Sequence, residues 1–497
     1  MDTLPSELLL AIAECVDALT PSVLRCINTQ WHNIITDMVW KQRRNEIPHG
    51  YRLGHDHCSR SARYCAIHYA KELAARARWT LLDWIIDCAG PVDEFNDAQL
   101  AACNRAASLG DLERLRLFLD RGFSFSDQTV ECAARYGHTN ILEWFKDRGG
   151  SFNESACVGA AEGGHFDILK WLRQQGCPWD ESVCTAIAKR GHLEMLQWAR
   201  ENGCPWDERV CERAAHDNNI VMLEWAIDND CPYNSLCYLY AARRGHTGVL
   251  QWLRSRGCHW GGQTCARAAR GGHLGVLKWL RREGCPWDSD TCAEAAEQGH
   301  LHVVQWALDN GCPGRDRVCT SAARGGHLVL LKWARSVGCP WDEYTCSDAA
   351  EQGHLDVLQW ARANGCPWNA NVCCYAARGG HLAVLQWARA NGCSWDSRTC
   401  AYAAEFGHLC IVQWARANGC PWDPAVPWRA TMSNYIETLQ WALDNGCPWD
   451  EGVMMCAVRY GRLAILQYVT AKGSVPSEST LIAAEYANNR ASQWLLS

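Results

Sequence analysis

Eleven cysteines, each preceded by Gly or Asp, recur every 27 residues from Cys177 to Cys447 without a slip. Tryptophan keeps the same step from Trp144 through Trp171 and Trp198 to Trp441, and Tyr468 follows in that register. A register held over so long a stretch means that one small unit is stacked many times. Such an array grows by addition and needs no single large core. The spacing predicts a repeat solenoid and shifts the functional expectation from catalysis towards binding.

Composition agrees with a folded chain: 48% hydrophobic and 21% charged residues are globular values. A net charge of −7 is read as excluding nucleic acid, because phosphate binding needs a basic footprint. No apolar run reaches the roughly 18 residues of a membrane span, so no membrane partner is expected. The first residues, MDTLPSELLLAIAECVDAL, lack the basic start and cleavage site of a secretory signal. A cytoplasmic location follows (host cytoplasm if the chain is viral), with the nucleus left open.

The 31 cysteines bear on the same question. Their number is odd, and tight C-x2-C pairs are absent from the array, so small buried hydrophobes are expected before disulfides or zinc. The compartment should then be reducing, with no cofactor and no metal.

One unit shows the local physics. In GCPWDERVCERAAHD, Asp207 is a helix cap and Glu208 favours the first turn. Val210, Cys211, Ala214 and Ala215 share one face of that first helix, and small residues there let neighbouring helices approach closely. A turn at Gly191 precedes the second helix, HLEMLQWAREN, with Leu193, Leu196 and Ala199 forming its apolar stripe. Gly203 ends it and Pro205 prevents continuation. Two such short helices do not persist alone in water and must bury their apolar sides on neighbours. The fold class is therefore all-α, an α-solenoid of stacked helix hairpins.

The pattern GHLxVLQWARxNGCPWDxxTCxxAAxxGH resembles the ankyrin repeat, with its Gly-His turn, apolar second helix and Ala-Ala first helix. The step is 27 residues, shorter than the usual ankyrin repeat, and the protruding β-finger is lost. This short form is similar to repeats of giant amoeba-infecting viruses and their hosts. The resemblance covers residues 98–474, preceded by a connecting segment over 46–97 holding a degenerate repeat, and followed by a C-terminal capping unit over 475–497.

Some units depart from the pattern. HDNNIVMLEWA has Asn218 and Asn219 at the Gly-His turn, CPGRD has Gly314 at the exit tryptophan, and Pro424 and Pro427 precede a unit lacking the helix-one cysteine. Drift at tolerant sites accounts for these, and a hinge or partner notch is the alternative. The residue after Ala-Ala alternates Arg270, Glu297, Arg324, Glu351, Arg378, Glu405, which is either an inter-repeat charge ladder or a solvated edge. The repeated histidines (His138, His165, His192 and on to His408) have no triad-like companions and read as turn residues. The tryptophans read as core.

Residues 1–45 do not follow the step. Leu4, Pro5, Leu8, Ile12, Leu24, Ile27 and Trp31 form the apolar face of a small three-helix module. LP-x-E-LL, Leu24-Arg25, Ile27 to Trp31 and Val39-Trp40-Lys41 resemble an F-box, with Asn28 where that family has cysteine. The resemblance implies docking of that face on the Skp-type adaptor of a cullin–RING ubiquitin ligase. The alternative reading of these residues is an N-terminal cap of the array. His55, His57, Cys58, Cys65 and His68 match no zinc spacing and read as a worn repeat.

These readings converge on a non-enzymatic, monomeric protein-interaction chain. It would be a substrate receptor, holding a protein target on the array and a ligase on the F-box-like head, or else a scaffold or host-factor binder with no ligase link. No phosphate loop, triad or paired catalytic carboxylate is present to suggest an enzyme. Variable helix-one and loop positions, namely Glu181, Arg209, Asp290, Tyr344, Asn371 and Arg398, are the expected target contacts.

Overall fold

The computed structural model describes residues 96–487 and 489–496. The F-box-like face (Leu4 to Trp31) and the metal-like cluster at His55–His68 lie outside the described residues. Among those described there are 30 helices and no strand. The chain divides into one unit ending at Asn234 and another over Ser235–Ser497. The first holds five described hairpins, from Asn96–Leu109 with Leu112–Asp120 to Arg209–His216 with Ile220–Asp228. The second holds ten, from Leu236–Arg244 with Thr247–Ser255 to Glu478–Ala487 with Arg490–Leu496. Each unit is an α-solenoid, as the 27-residue step requires.

The hairpin Glu343–Glu351 with Leu355–Ala363 shows how sequence sets the layer. Asp342, extended at φ −141° and ψ −172°, accepts a hydrogen bond from the Tyr344 N–H and forms a capping box with Thr345. The same aspartate recurs after most exit tryptophans, though Trp260 is followed by Gly261 and Trp368 by Asn369. Asp180, Asp288 and Asp396 accept from the backbone N–H two residues on, as Asp207 does from Arg209. First helices of successive layers pack directly on one another, while second helices touch each other far less. That close row is possible because its contact residues are small: Cys346, Ser347, Ala349 and Ala350 are buried. The second helix supplies the larger apolar groups, Val357, Leu358 and Ala361. Burying a leucine contributes about 1.5–3 kcal/mol.

The turn between the helices carries a second inter-layer lock. Gly353 has φ +81°, and a Cβ there would sit 2.6 Å from the ring of His381 in the next layer. Histidine Nε2 donates to the carbonyl ending the preceding first helix, as from His354 to Arg324 at 3.1 Å and from His327 to Glu297 at 3.0 Å. The histidines are thus structural bolts. Irregular units keep one half or the other of this device. Asn218 and Asn434 take the left-handed conformation of the missing glycine, at φ 59° and 66°. Arg462 donates to Met432 O at 3.0 Å and Asn489 to Val458 O at 2.8 Å, each at the histidine position.

One sequence reading holds and one changes. Among the described residues the cysteines are free and mostly buried, with spatial partners 20 residues apart in sequence: Cys157 Sγ stands 3.2 Å from Cys177 Sγ. The tryptophans are half-buried, not core. They form a seam in which most exit indoles meet the second-helix indole of their own hairpin, as in Trp341–Trp360 at 5.9 Å and Trp368–Trp387 at 5.9 Å. An arginine of the preceding helix covers the other side, Arg335 lying 4.2 Å from the Trp341 ring centroid. Flat, rotamer-poor indoles serve as a partly wet outer seam, because the space between first helices admits only small groups.

The alternating charges pair across layers, though not strictly along one rung. Arg378 meets Glu351 at 3.1 Å, whereas Arg324 meets Asp348 at 2.9 Å and Arg270 meets Glu294. Glu351→Arg should therefore lower the melting temperature by a degree or two in dilute buffer, since an exposed pair is worth about 0–1 kcal/mol. The loss should shrink in high salt. An equal loss at both salt levels would assign Glu351 to packing instead of charge.

Candidate functional site

In the second unit the helix Val318–Arg324 starts late. Its neighbours begin at Ser289 and Glu343, two residues earlier in the register. The cause is local. Gly314 takes φ +100°, and a Cβ there would meet Ser289 backbone atoms at 2.7 Å, so no tryptophan fits at this exit. Arg315 makes part of the missing contact: it donates to Val337 O at 2.7 Å, the carbonyl matching the one Trp422 bonds in its own layer. Within the helix, Ser321 stands where adjoining layers carry Glu294 and Asp348. A shortened helix and a small side chain leave a concavity of about 360 Å³ on the first-helix side.

Its walls are polar and aromatic. Asp316, Arg317, Thr320, Ser321 and Arg324 line one side, and Pro340, Trp341, Asp342, Tyr344 and Asp348 the other. Thr320 and Thr345 hydroxyls meet across the layers at 3.1 Å. Arg324 is half-exposed while its partner Asp348 is 7% exposed. Burial pushes the Asp348 carboxyl above its ordinary range, and the Arg324 guanidinium opposes that. Arg317 is ion-paired with Asp290 and reaches the Ser289 hydroxyl at 3.3 Å. With both arginines held, the open groups are Asp316 and the Tyr344 ring, 52% exposed. The concavity can receive a side chain with a flat or cationic end. It contains no nucleophile–base pair.

The sequence-derived contact set does not converge on one pocket. Tyr344 lines the concavity and Asp290 borders it through Arg317. Arg398 and Asn371 meet across one layer at 3.3 Å, within the second unit. Glu181 and Arg209 meet at 3.6 Å in the first unit, where Arg209 also holds Asp207. These residues occupy the first turns of first helices, one per layer, partly joined to each other. Asp316, Ser321, Arg324 and Asp348 were missed. The CPGRD departure marked their place in the chain, but the depth of the notch depends on the late helix start.

No protein-family model matches this chain, and no curated protein sequence does. Among solved structures it is similar to the pentatricopeptide repeat protein PPR10 in complex with an 18-nt psaJ RNA element. That match has TM-score 0.39 and 12% identity, covering 100% of this chain and 87% of that one. The pentatricopeptide repeat protein PPR10 from maize gives TM-score 0.31 and 12% identity over 97% and 93%. The class of protein defined by the coordinates is a helical-repeat solenoid. The exclusion of nucleic acid is corrected here, since a helical-repeat protein among these matches is recorded with RNA bound. The physical error lay in averaging: net charge over a whole chain does not decide what one surface of it can hold.

Proposed function

We propose that this chain is a non-enzymatic interaction protein that holds a protein target on the first-helix side of its repeats. In this reading the repeats are of the short ankyrin type, and the N-terminal module presents the bound target to a cullin–RING ubiquitin ligase. The observation that carries the target site is the notch at residues 316–348, where a layer has Gly314 in place of an exit indole and opens polar, aromatic walls. Tethering of this kind works by raising effective concentration and needs no chemistry from the receptor itself.

The test uses the full chain with the Skp-type adaptor and with target proteins recovered on it. Tyr344→Ala with Asp316→Ala is expected to weaken target retention about tenfold, as loss of one interface anchor does, and to leave the adaptor bound. Leu8→Asp with Trp31→Ala is expected to release the adaptor and leave the target. Absence of adaptor binding by the unmutated chain would reduce the reading to a scaffold. Target retention indifferent to the notch variants would remove the site.

A further inference from the structure

Between Asp230 and Glu283 the chain has no acidic residue, yet it holds nine of the 48 Lys and Arg of a protein with 55 Asp and Glu. An acidic chain thus reverses its sign over two hairpins, Leu236–Arg244 with Thr247–Ser255 and Thr264–Arg270 with Leu274–Arg282. Arg267 and Arg270 share one carboxylate, that of Glu294. Others gather where second helices end and the exit tryptophans stand. Arg254 lies 4.1 Å from the Trp260 ring centroid and Arg281 4.2 Å from that of Trp287. Trp260 meets Trp279 edge-on at 6.3 Å. Lys278 and Arg282, both exposed, lie on the same helix as Arg281. A guanidinium laid on an indole is already ordered, so it loses little further freedom when it grips a phosphate.

An independent observation concerns a carboxylate that is missing. After Trp287, Trp341 and Trp395 comes an aspartate that caps the next helix, accepting from the N–H two residues on at 3.0–3.1 Å. After Trp260 comes Gly261, then Gly262, and the following helix starts at Thr264 with no side-chain cap. Nothing in the fold calls for glycine. Neither residue is in the left-handed region, a Cβ on Gly261 would approach Ser235 no closer than 3.7 Å, and one on Gly262 would meet no atom within 4 Å. The layer forgoes a stabilising cap at the point where a carboxylate would sit beside Trp260 and its arginine. A surface that must receive an anion accounts for this.

We propose that the exit ends of these two hairpins bind single-stranded nucleic acid. Arg254, Lys278, Arg281 and Arg282 meet phosphates, and the indoles of Trp260, Trp279 and Trp287 with their stacked arginines offer flat surface to bases. A glutamate-rich peptide would use the charges and leave the indole seam idle. The site goes beyond the protein target proposed above, since its residues lie over 254–287 and none of them lines the notch.

The test is fluorescence anisotropy on the full chain with a labelled single-stranded RNA of about 12 nucleotides, beside a poly-glutamate peptide of similar charge. Four phosphate contacts predict an affinity that falls about fifty-fold between roughly 50 and 200 mM salt. Arg254→Ala with Arg282→Ala should flatten the slope of log affinity on log salt by about 1.4. Gly261→Asp should weaken RNA binding about fivefold, through one opposing charge, while raising the melting temperature by restoring the cap. That pairing of opposite signs separates a lost site from a misfolded chain. Three results would overturn the proposal: no RNA binding, poly-glutamate bound as tightly as RNA (an acidic protein partner), or RNA binding that ignores both variants.

Discussion

Gly325→Ala is expected to destabilise the second unit by about 2–3 kcal/mol, although alanine is the better helix residue by about 1 kcal/mol. Gly325 has φ −77° and ψ −8°, a conformation any residue adopts, so backbone strain is not the reason. The reason is the neighbouring layer. A Cβ at 325 would fall well inside contact distance of the Glu297 carbonyl oxygen and 2.6 Å from the His327 ring. Gly271 and Gly379 stand in the same relation to the Arg243 and Glu351 carbonyls. In the layers between, the equivalent residues are Gln298, Gln352 and Phe406. Here the sequence alternates Arg-Gly-Gly-His with Glu-Gln-Gly-His or Glu-Phe-Gly-His, so the true period in this stretch is two units, one seated closely and one less so. Gln352→Ala should therefore change stability by no more than about 0.5 kcal/mol. Urea melts of the two variants decide the matter, and a Gly325→Ala protein as stable as the parent would remove the close-seating argument. Because Arg324 adjoins Gly325, the variant should also disturb the Arg324–Asp348 pair at the notch.

The architecture was legible because a repeat states its own evidence many times. Val210, Cys211, Ala214 and Ala215 were placed on one buried face by spacing alone, and all four are fully buried. Gly203 and Gly191 were read as turn residues and have φ +81° and +75°. The tryptophans were misplaced because hydrophobicity says how much a side chain gains by burial, not whether the gap between two layers is wide enough to take it. Cys177 and Cys184, close in sequence, gave no hint that each thiol's neighbour comes from the far end of its hairpin, as Cys157 shows for Cys177. The alternating charges were found but their rungs were not, since Asp348 and Glu294 sit a turn away from the positions counted. The notch was half legible. Gly314 announced it, while Ser321 looks ordinary until the short helix beside it is known. The acid-free window needed only a local charge count in place of a total.

Leu358→Ala and Trp360→Ala, two residues apart on one helix, are expected to rank against side-chain size. Leu358 is fully buried between its own first helix and the neighbouring layers. Truncation leaves a cavity that rigid stacked helices cannot close, at a cost of about 2–5 kcal/mol. Trp360 is larger but half-exposed, with Trp341 edge-on at 5.9 Å and Lys332 Nζ 5.9 Å from its centroid. Water can enter the space it vacates, so its loss should cost about 1–2 kcal/mol, chiefly the aromatic pair and the area it shields. A layer contacts only its neighbours, so the leucine variant should also broaden the transition as the weakened interface uncouples the flanking repeats. Circular dichroism during denaturation reads both quantities. A tryptophan variant less stable than the leucine variant would mean that the indole seam, and not the aliphatic row beneath it, holds the layers together.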